Sequence, residues 1–301
     1  MIDFTNCERN RFRAYGGANG NKINIRYQGK SYMLKFPPKP RKGGEMSYTN
    51  GCVSEYLGCH IFASLGFKVQ ETLLGSYTDS KNKEKLVVAC EDFTEGGKQL
   101  IEFAKLKNTC IDSELNGYGT ELSAILEAIE EQTLLPPKVL REFFWDQFIA
   151  DAFLGNFDRH NGNWGVLVDE NLGTAELAPV YDMGSSLFSK RSPSVAARRL
   201  GDEEAEREDA FGTNVSCYRL PDGEGGSVAI HPFEYMAKTS NPDLTAAIKR
   251  FAAAVDMSAI DALIDSVPEE AYGIVLLSDS MRAEHKRLLR KRLEEGILPL
   301  L

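Results

Sequence analysis

The stretch from Phe148 to Val168 constrains this chain more than any other. It leaves an amphipathic helix, turns polar after Gly155, and crowds Asn156, Asp158, Arg159, His160, Asn161 and Asn163 into eight residues. Trp164 to Val168 then reads as a short buried strand, Asp169 to Gly173 as a turn, and a second strand ends at Ala178 to Asp182. An antiparallel hairpin with Val168 opposite about Glu176 places Asn163 near Asp182 at its open end, with Asp158 just upstream. A carboxylate, an amide and a second carboxylate converging on one spot suit a divalent metal that carries phosphates. One carboxylate is then left to orient a hydroxyl.

The spacing sharpens this reading. Asp158 and Asn163 are five apart, like the Asp and Asn of the kinase catalytic loop H-R-D-x-x-x-x-N. Asp182, followed by Met183 and Gly184, stands where the Asp of D-F-G would stand. Further motifs are the run Gly16, Gly17, Ala18, Asn19, Gly20, Asn21, Lys22 and the segment Tyr32 to Pro37 with Lys35. On these residues the chain resembles the HipA-like serine/threonine kinases, over most of residues 1 to about 190. The likeness fades afterwards.

The resemblance implies an α+β, two-lobed, protein-kinase-like fold. A small β-rich lobe (1–92) would carry the glycine-rich loop, the nucleotide-clamping lysine and an αC-like helix. A larger helical lobe (93–301) would carry the catalytic loop, the metal site and a mobile activation-like segment at about 185–229. It implies ATP as co-substrate and Mg²⁺ as metal. Asp158 would be the base, and His160 would support it on the loop. Asn163 and Asp182 would hold the metal, and Gly16 to Lys22 together with Lys35, Glu55 and Glu91 would contact ATP. The chain departs from common kinases in having Asn156, Phe157 and Asp158 where His-Arg-Asp is expected, and Asp-Met-Gly in place of Asp-Phe-Gly.

Taken in order, Ile23, Ile25 and Tyr27 alternate with polar residues, Gln28 and Gly29 turn, and Tyr32 to Phe36 returns as the second strand of a hairpin. Glycines ahead of it let backbone N–H groups approach phosphate oxygens. From Val53 to Leu65 the apolar positions follow helical spacing, and Gly66 can end the helix. Glu55 lies off that stripe; it either faces Lys35 or sits on the surface. Val69 to Tyr77 and Leu86 to Cys90 read as strands, and Glu91, Asp92 and Phe93 leave the sheet where a kinase hinge meets adenine. Beyond Phe93 the chain reads as mostly helical: Glu121 to Glu131, a helix opened by Pro136 and Pro137, then 244–255, 257–265, 269–277 and 280–295. Arg159 is expected to pair with Asp158 or a substrate. The acidic run Asp202 to Asp209 lies in the stretch expected to be mobile, and the last helix is rich in basic residues read as a solvated face.

A formal net charge of −9 argues against general nucleic-acid binding, and no run approaches the roughly 18 apolar residues of a membrane helix. The opening residues have no apolar core of signal-peptide length, so a cytoplasmic protein is expected, with export to host cells left open by the resemblance. Six cysteines without a Cys-x-x-Cys pair read as reduced thiols.

Three functions compete: a serine/threonine protein kinase acting on a protein hydroxyl, a small-molecule kinase of the aminoglycoside-phosphotransferase type, and a nucleotide-binding pseudokinase acting as an interaction module. Filled catalytic positions count against the third. Whether an antitoxin-like partner exists stays open. HipA-like kinases can carry a regulatory serine in the glycine-rich loop, but no Ser or Thr lies between Thr5 and Ser31 here. Ser185, Ser186, Ser189, Ser192 and Ser194 are the alternative candidates for phosphorylation.

Overall fold

The structure, a computed structural model, describes residues 1–13, 15, 22–39, 49–111 and 114–301. The glycine-rich residues Gly16, Gly17, Ala18, Asn19, Gly20 and Asn21 lie outside the described residues, as do residues 40–48. The chain divides into two compact units. One comprises Met1–Glu95, Asp182–Asp202 and Asp256–Lys286; the other comprises Gly96–Tyr181, Glu203–Val255 and Arg287–Leu301. The class is α+β, as the sequence indicated.

The first unit is built on a six-stranded sheet. Its strands are β1 (Ile2–Asp3), β2 (Glu8–Asn10), β3 (Lys22–Tyr27), β4 (Lys30–Lys35), β5 (Thr72–Thr78) and β6 (Glu84–Glu91), in the order β1-β5-β6-β4-β3-β2. β3 and β4 form a two-residue hairpin with Tyr27 opposite Lys30. Gln28 and Gly29 both take positive φ, the turn whose twist matches that of paired strands. Alternation sends Ile25, Leu34, Val87 and Ala89 into one core with Phe4 and Tyr32. Helix α1 (Gly51–Ser64) packs against β5, β6 and the helix Met257–Ser266. It is therefore covered on more than one side, and Glu55 is buried although it lies off the apolar stripe.

α1 ends on the signal read from the sequence. Gly66, at φ +90°, donates to Ala63 O, and Phe67 N donates to Phe62 O. This Schellman closure carries its usual apolar contact, here the Phe62 and Phe67 rings at 4.8 Å.

The second unit holds a three-stranded antiparallel sheet of β7 (Gln99–Glu102), β8 (Gly165–Asp169) and β9 (Thr174–Leu177), with β8 in the middle. Three helices accompany it: α2 (Phe103–Cys110), α3 (Leu122–Glu131) and α4 (Pro137–Leu154). The β8–β9 hairpin exists, but its register differs by one residue from the expected one: Val168 faces Ala175, and Leu167 faces Glu176. The turn decides this. The Asp169 carboxylate accepts from Asn171 N and Leu172 N, and Gly173 takes φ +62°. The second strand also stops at Leu177 and does not run to Asp182; Ala178 N still reaches Gly165 O, and Pro179 has no N–H to continue. Strand β7 was not visible in the sequence, where this region read as helical.

Two further expectations change. Residues 269–277 form no helix but a small hairpin, Glu270–Ala271 against Ile274–Val275, because Tyr272 and Gly273 both take positive φ. The last helix spans Asp279–Lys291 and passes into a π-helical turn, Arg292–Ile297. Within the second unit its basic end is not a solvated face. Arg287 pairs with Glu206 at 2.8 Å, and Lys291 pairs with Glu203 and Glu295. The acidic run after Asp202 thus finds its countercharge inside the same unit.

A Cβ at Gly66 would meet nothing within 4 Å, so alanine there tests backbone conformation alone. Gly66→Ala is expected to cost about 1–2 kcal/mol, the penalty of an L-residue in the left-handed region. Urea unfolding with an unchanged m-value checks it.

Candidate active site

In the first unit the end of β4 presents Lys35 to two carboxylates. Its Nζ lies 2.9 Å from Glu55 Oε2 and 2.8 Å from Asp182 Oδ1. Burial opposes the ammonium, but the two carboxylates outweigh it and hold the Lys35 pKa well above its ordinary value. Glu55, 2% exposed, also accepts Met183 N through Oε1 at 3.1 Å. One glutamate on α1 therefore fixes the lysine and the backbone just after Asp182. Asp182 sits at φ +58°, a conformation Asp tolerates better than most residues, with its side chain about half exposed.

Met183 is fully buried against α1. Gly58 makes this possible: a Cβ there would lie 2.6 Å from Met183 Cβ. A glycine inside a helix costs roughly 1 kcal/mol relative to alanine, and close packing of Met183 is what it allows. That pairing carried no sequence signal.

In the second unit α4 ends at Leu154, and Gly155 at φ +68° turns the chain into the polar loop. Asn163 donates its amide Nδ2 to Asp158 O at 2.7 Å, and Asn163 N donates to His160 O. His160 Nδ1 accepts Gly162 N at 3.0 Å, which places its own ring proton on Nε2 when neutral. Tyr181 closes the turn by donating its hydroxyl to Gly162 O at 2.9 Å. Asn161, fully buried, ties the loop to the carbonyls of Gly117 and Gly119.

Arg159 corrects the sequence reading. It is 2% exposed, so it is not offered to a substrate. Its Nε meets Asp151 Oδ2 at 2.9 Å, and its Nη1 donates to Asn163 O at 2.6 Å and Tyr181 O at 2.7 Å. Tyr181 directly precedes Asp182 in the chain. Asp151 lies on the aromatic face of α4. A carboxylate on such a face demands a partner, and that was the available signal. Asn156 Nδ2 supplies a further bond to Asp151 Oδ1. Burial pushes the Asp151 pKa up, against the pull of the Arg159 cation.

The remaining expected residues are placed as follows. Lys22 opens β3 with its Cα opposite Lys35. Glu91 ends β6 with its side chain 3.2 Å from Lys30, its N–H on Glu71 O and its carbonyl taking Gln70 Nε2. Of the candidate serines, Ser186, Ser189 and Ser192 are buried, Ser192 as the cap of helix Pro193–Arg199, and Ser194 is exposed.

A family model for the HipA-like C-terminal domain matches residues 14–260. The chain belongs to the HipA-like family. It is 43% identical to the serine/threonine-protein kinase CtkA of Helicobacter pylori over 98% of this chain and 84% of that protein. The crystal structure of the Helicobacter pylori proinflammatory kinase CtkA superposes with a TM-score of 0.88 at 41% identity, covering 100% of this chain and 96% of that one. HipA of Shewanella oneidensis, solved with HipB and operator DNA, matches with a TM-score of 0.54 at 16% identity over 94% of this chain and 65% of that one, a likeness of fold alone. With these relatives, this HipA-like chain is an enzyme of the serine/threonine-kinase class.

Removing Arg159 leaves Asp151 buried without its cation. Arg159→Met is expected to lose about 3–5 kcal/mol of stability near pH 8. Without the arginine, the Asp151 pKa rises further above its unfolded value of about 3.9. Stability belonging to the protonated acid is complete below the unfolded pKa and is lost as pH rises through the folded one. The deficit against the unaltered protein should therefore be smaller at about pH 5 than at about pH 8. Urea titrations at the two pH values check it; equal deficits would contradict it.

Proposed function

We propose that this chain transfers the γ-phosphoryl group of ATP, with Mg²⁺, to a serine or threonine hydroxyl of a protein. The observation that carries the reading is Lys35, a cation held between the Glu55 and Asp182 carboxylates within a HipA-like kinase fold. Phosphoryl transfer asks a protein mainly for positioning and charge stabilisation, and each of these residues serves one of those needs.

In this reading the residues 1–92 supply the nucleotide cradle. Lys35 and the glycine-rich run Gly16 to Lys22 bind ATP phosphates, with Glu55 keeping the ammonium in place. Glu91 marks the adenine end. Asp158 orients the acceptor hydroxyl and takes its proton. His160 braces the turn that carries Asn163.

Each proposed metal-holding residue offers an oxygen suited to a hard divalent ion. Asn163 commits its amide nitrogen to Asp158 O, which leaves the amide oxygen as its available donor, and Asp182 offers a partly exposed carboxylate. Among the described residues no cluster of three or more His, Cys, Asp or Glu would hold a metal by itself. Two protein oxygens, completed by phosphate and water, match how Mg²⁺ binds beside nucleotides. Bound there, Mg²⁺ would neutralise charge developing on the phosphates. Asp182, paired with Lys35 in this structure, would hold the metal together with Asn163.

Asp158→Ala is expected to cut phosphoryl transfer by about 10²–10⁴ while nucleotide affinity persists. Asp182→Ala should instead weaken metal-dependent ATP binding; unchanged affinity in a Mg²⁺ titration would remove it as a ligand. Labelled ATP offered with cell lysate, and separately with aminoglycosides, decides the acceptor. Label on small molecules alone would overturn the protein-kinase reading.

A further inference from the structure

Helix α4 delivers the chain into the catalytic loop, and a residue far away in sequence holds its carboxyl end. Arg292 is 1% exposed. Its guanidinium donates to three main-chain carbonyls: Nη1 to Phe153 O at 3.0 Å, Nη2 to Asp209 O at 3.0 Å, and Nε to Ala210 O at 3.1 Å. Phe153 O is among the last four carbonyls of α4, which no amide of the helix itself can satisfy. The cation also stands at the negative end of the helix dipole. Asn214 adds a second clamp, donating to Ala152 O at 2.8 Å and Ala210 O at 3.3 Å.

Gly155 completes the fit. A Cβ on it would lie 2.9 Å from Arg292 Nη2, 3.0 Å from Nη1 and 3.3 Å from Cζ. The guanidinium thus lies against the Gly155 backbone, at the residue where α4 turns into the loop. Glycine is required there twice, for φ +68° and for this contact.

Three steps of chain lead from Gly155 to Asp158, and they have little slack. Asn156 N donates to Asp151 O at 2.9 Å, its side chain to Asp151 Oδ1 at 2.8 Å, and Asp158 N reaches Asn156 Oδ1 at 3.3 Å. A displacement of the helix end is passed to Asp158.

We propose that Arg292 is a positioning residue for phosphoryl transfer: it fixes the exit of α4 and thereby the place of the Asp158 carboxylate. This rests on the reading of Asp158 as the base. A lysine keeps the charge but not the planar fork that spans three carbonyls.

Arg292→Lys is expected to lower kcat about ten- to a hundred-fold, the scale of a small misplacement of a reacting group. The KM for ATP should stay within about two-fold, since the nucleotide clamp is elsewhere. A single melting transition above the assay temperature establishes that the variant is folded. In an Asp158→Ala background the same change should leave the residual rate unaltered, because the group it positions is gone. A folded Arg292→Lys enzyme with undiminished kcat overturns the proposal. So does an equal fold-loss in both backgrounds, which a purely structural role would give. Should Arg292→Lys not fold, Arg292→Gln, which keeps a planar amide donor, is held to the same outcomes. If Asp158→Ala keeps full activity, the base assignment fails. If Asp158→Ala is dead and Arg292→Lys fully active, only the Arg292 proposal fails.

Discussion

The buried pair of Asp151 and Arg159 is the interaction on which the polar loop after Gly155 depends. Two charges taken out of water gain little net stability from each other, because desolvation cancels most of their attraction. What the pair provides is direction. With Asp151 anchored on α4, the arginine fork is aimed at Asn163 O and Tyr181 O, so one side chain ties a helix, the middle of the loop and the residue before Asp182. Tyr181 itself lies beyond the strands, since β9 ends at Leu177.

The second unit uses buried cations repeatedly in this way. Lys107, 1% exposed, donates to Gly119 O, and burial lowers its pKa. Arg292 donates to the end of α4 and to the turn at Asp209 and Ala210. Each cation donates to main-chain carbonyls at a helix end, a turn or a loop, where buried carbonyls need partners. Irregular segments have no ladder of backbone hydrogen bonds to hold them. Long cationic side chains give them the rigidity that ladders give a sheet.

The first unit solves a related problem with an anion. Glu55 holds Lys35 with one oxygen and Met183 N with the other. Lys35 and the start of the segment after Asp182 are therefore set by one helix, α1. Asp182, Leu187 and Phe188 all take positive φ without being glycine. Such strain persists only where surroundings over-determine it, and Glu55 and the packing of Met183 onto Gly58 are the visible restraints.

Much of this was legible locally. The β3–β4 hairpin, α1 with its glycine stop, α4 opened by Pro137 and closed by Gly155, and the five-residue spacing of Asp158 and Asn163 all depend on periodicity and on residues near in sequence. What the tertiary structure decided is non-local. Side-chain type could not say that Arg159 would turn to Asp151, that Glu55 would be buried, or that residues 203–206 would meet residues 287–291. Nor could it reveal strand β7, a four-residue segment that becomes a strand only because β8 offers it an edge. Periodicity shows which face of an element is apolar. Which distant charge or strand completes that face is set by the packing of the whole chain, where a buried group takes the partner that geometry brings within hydrogen-bond reach.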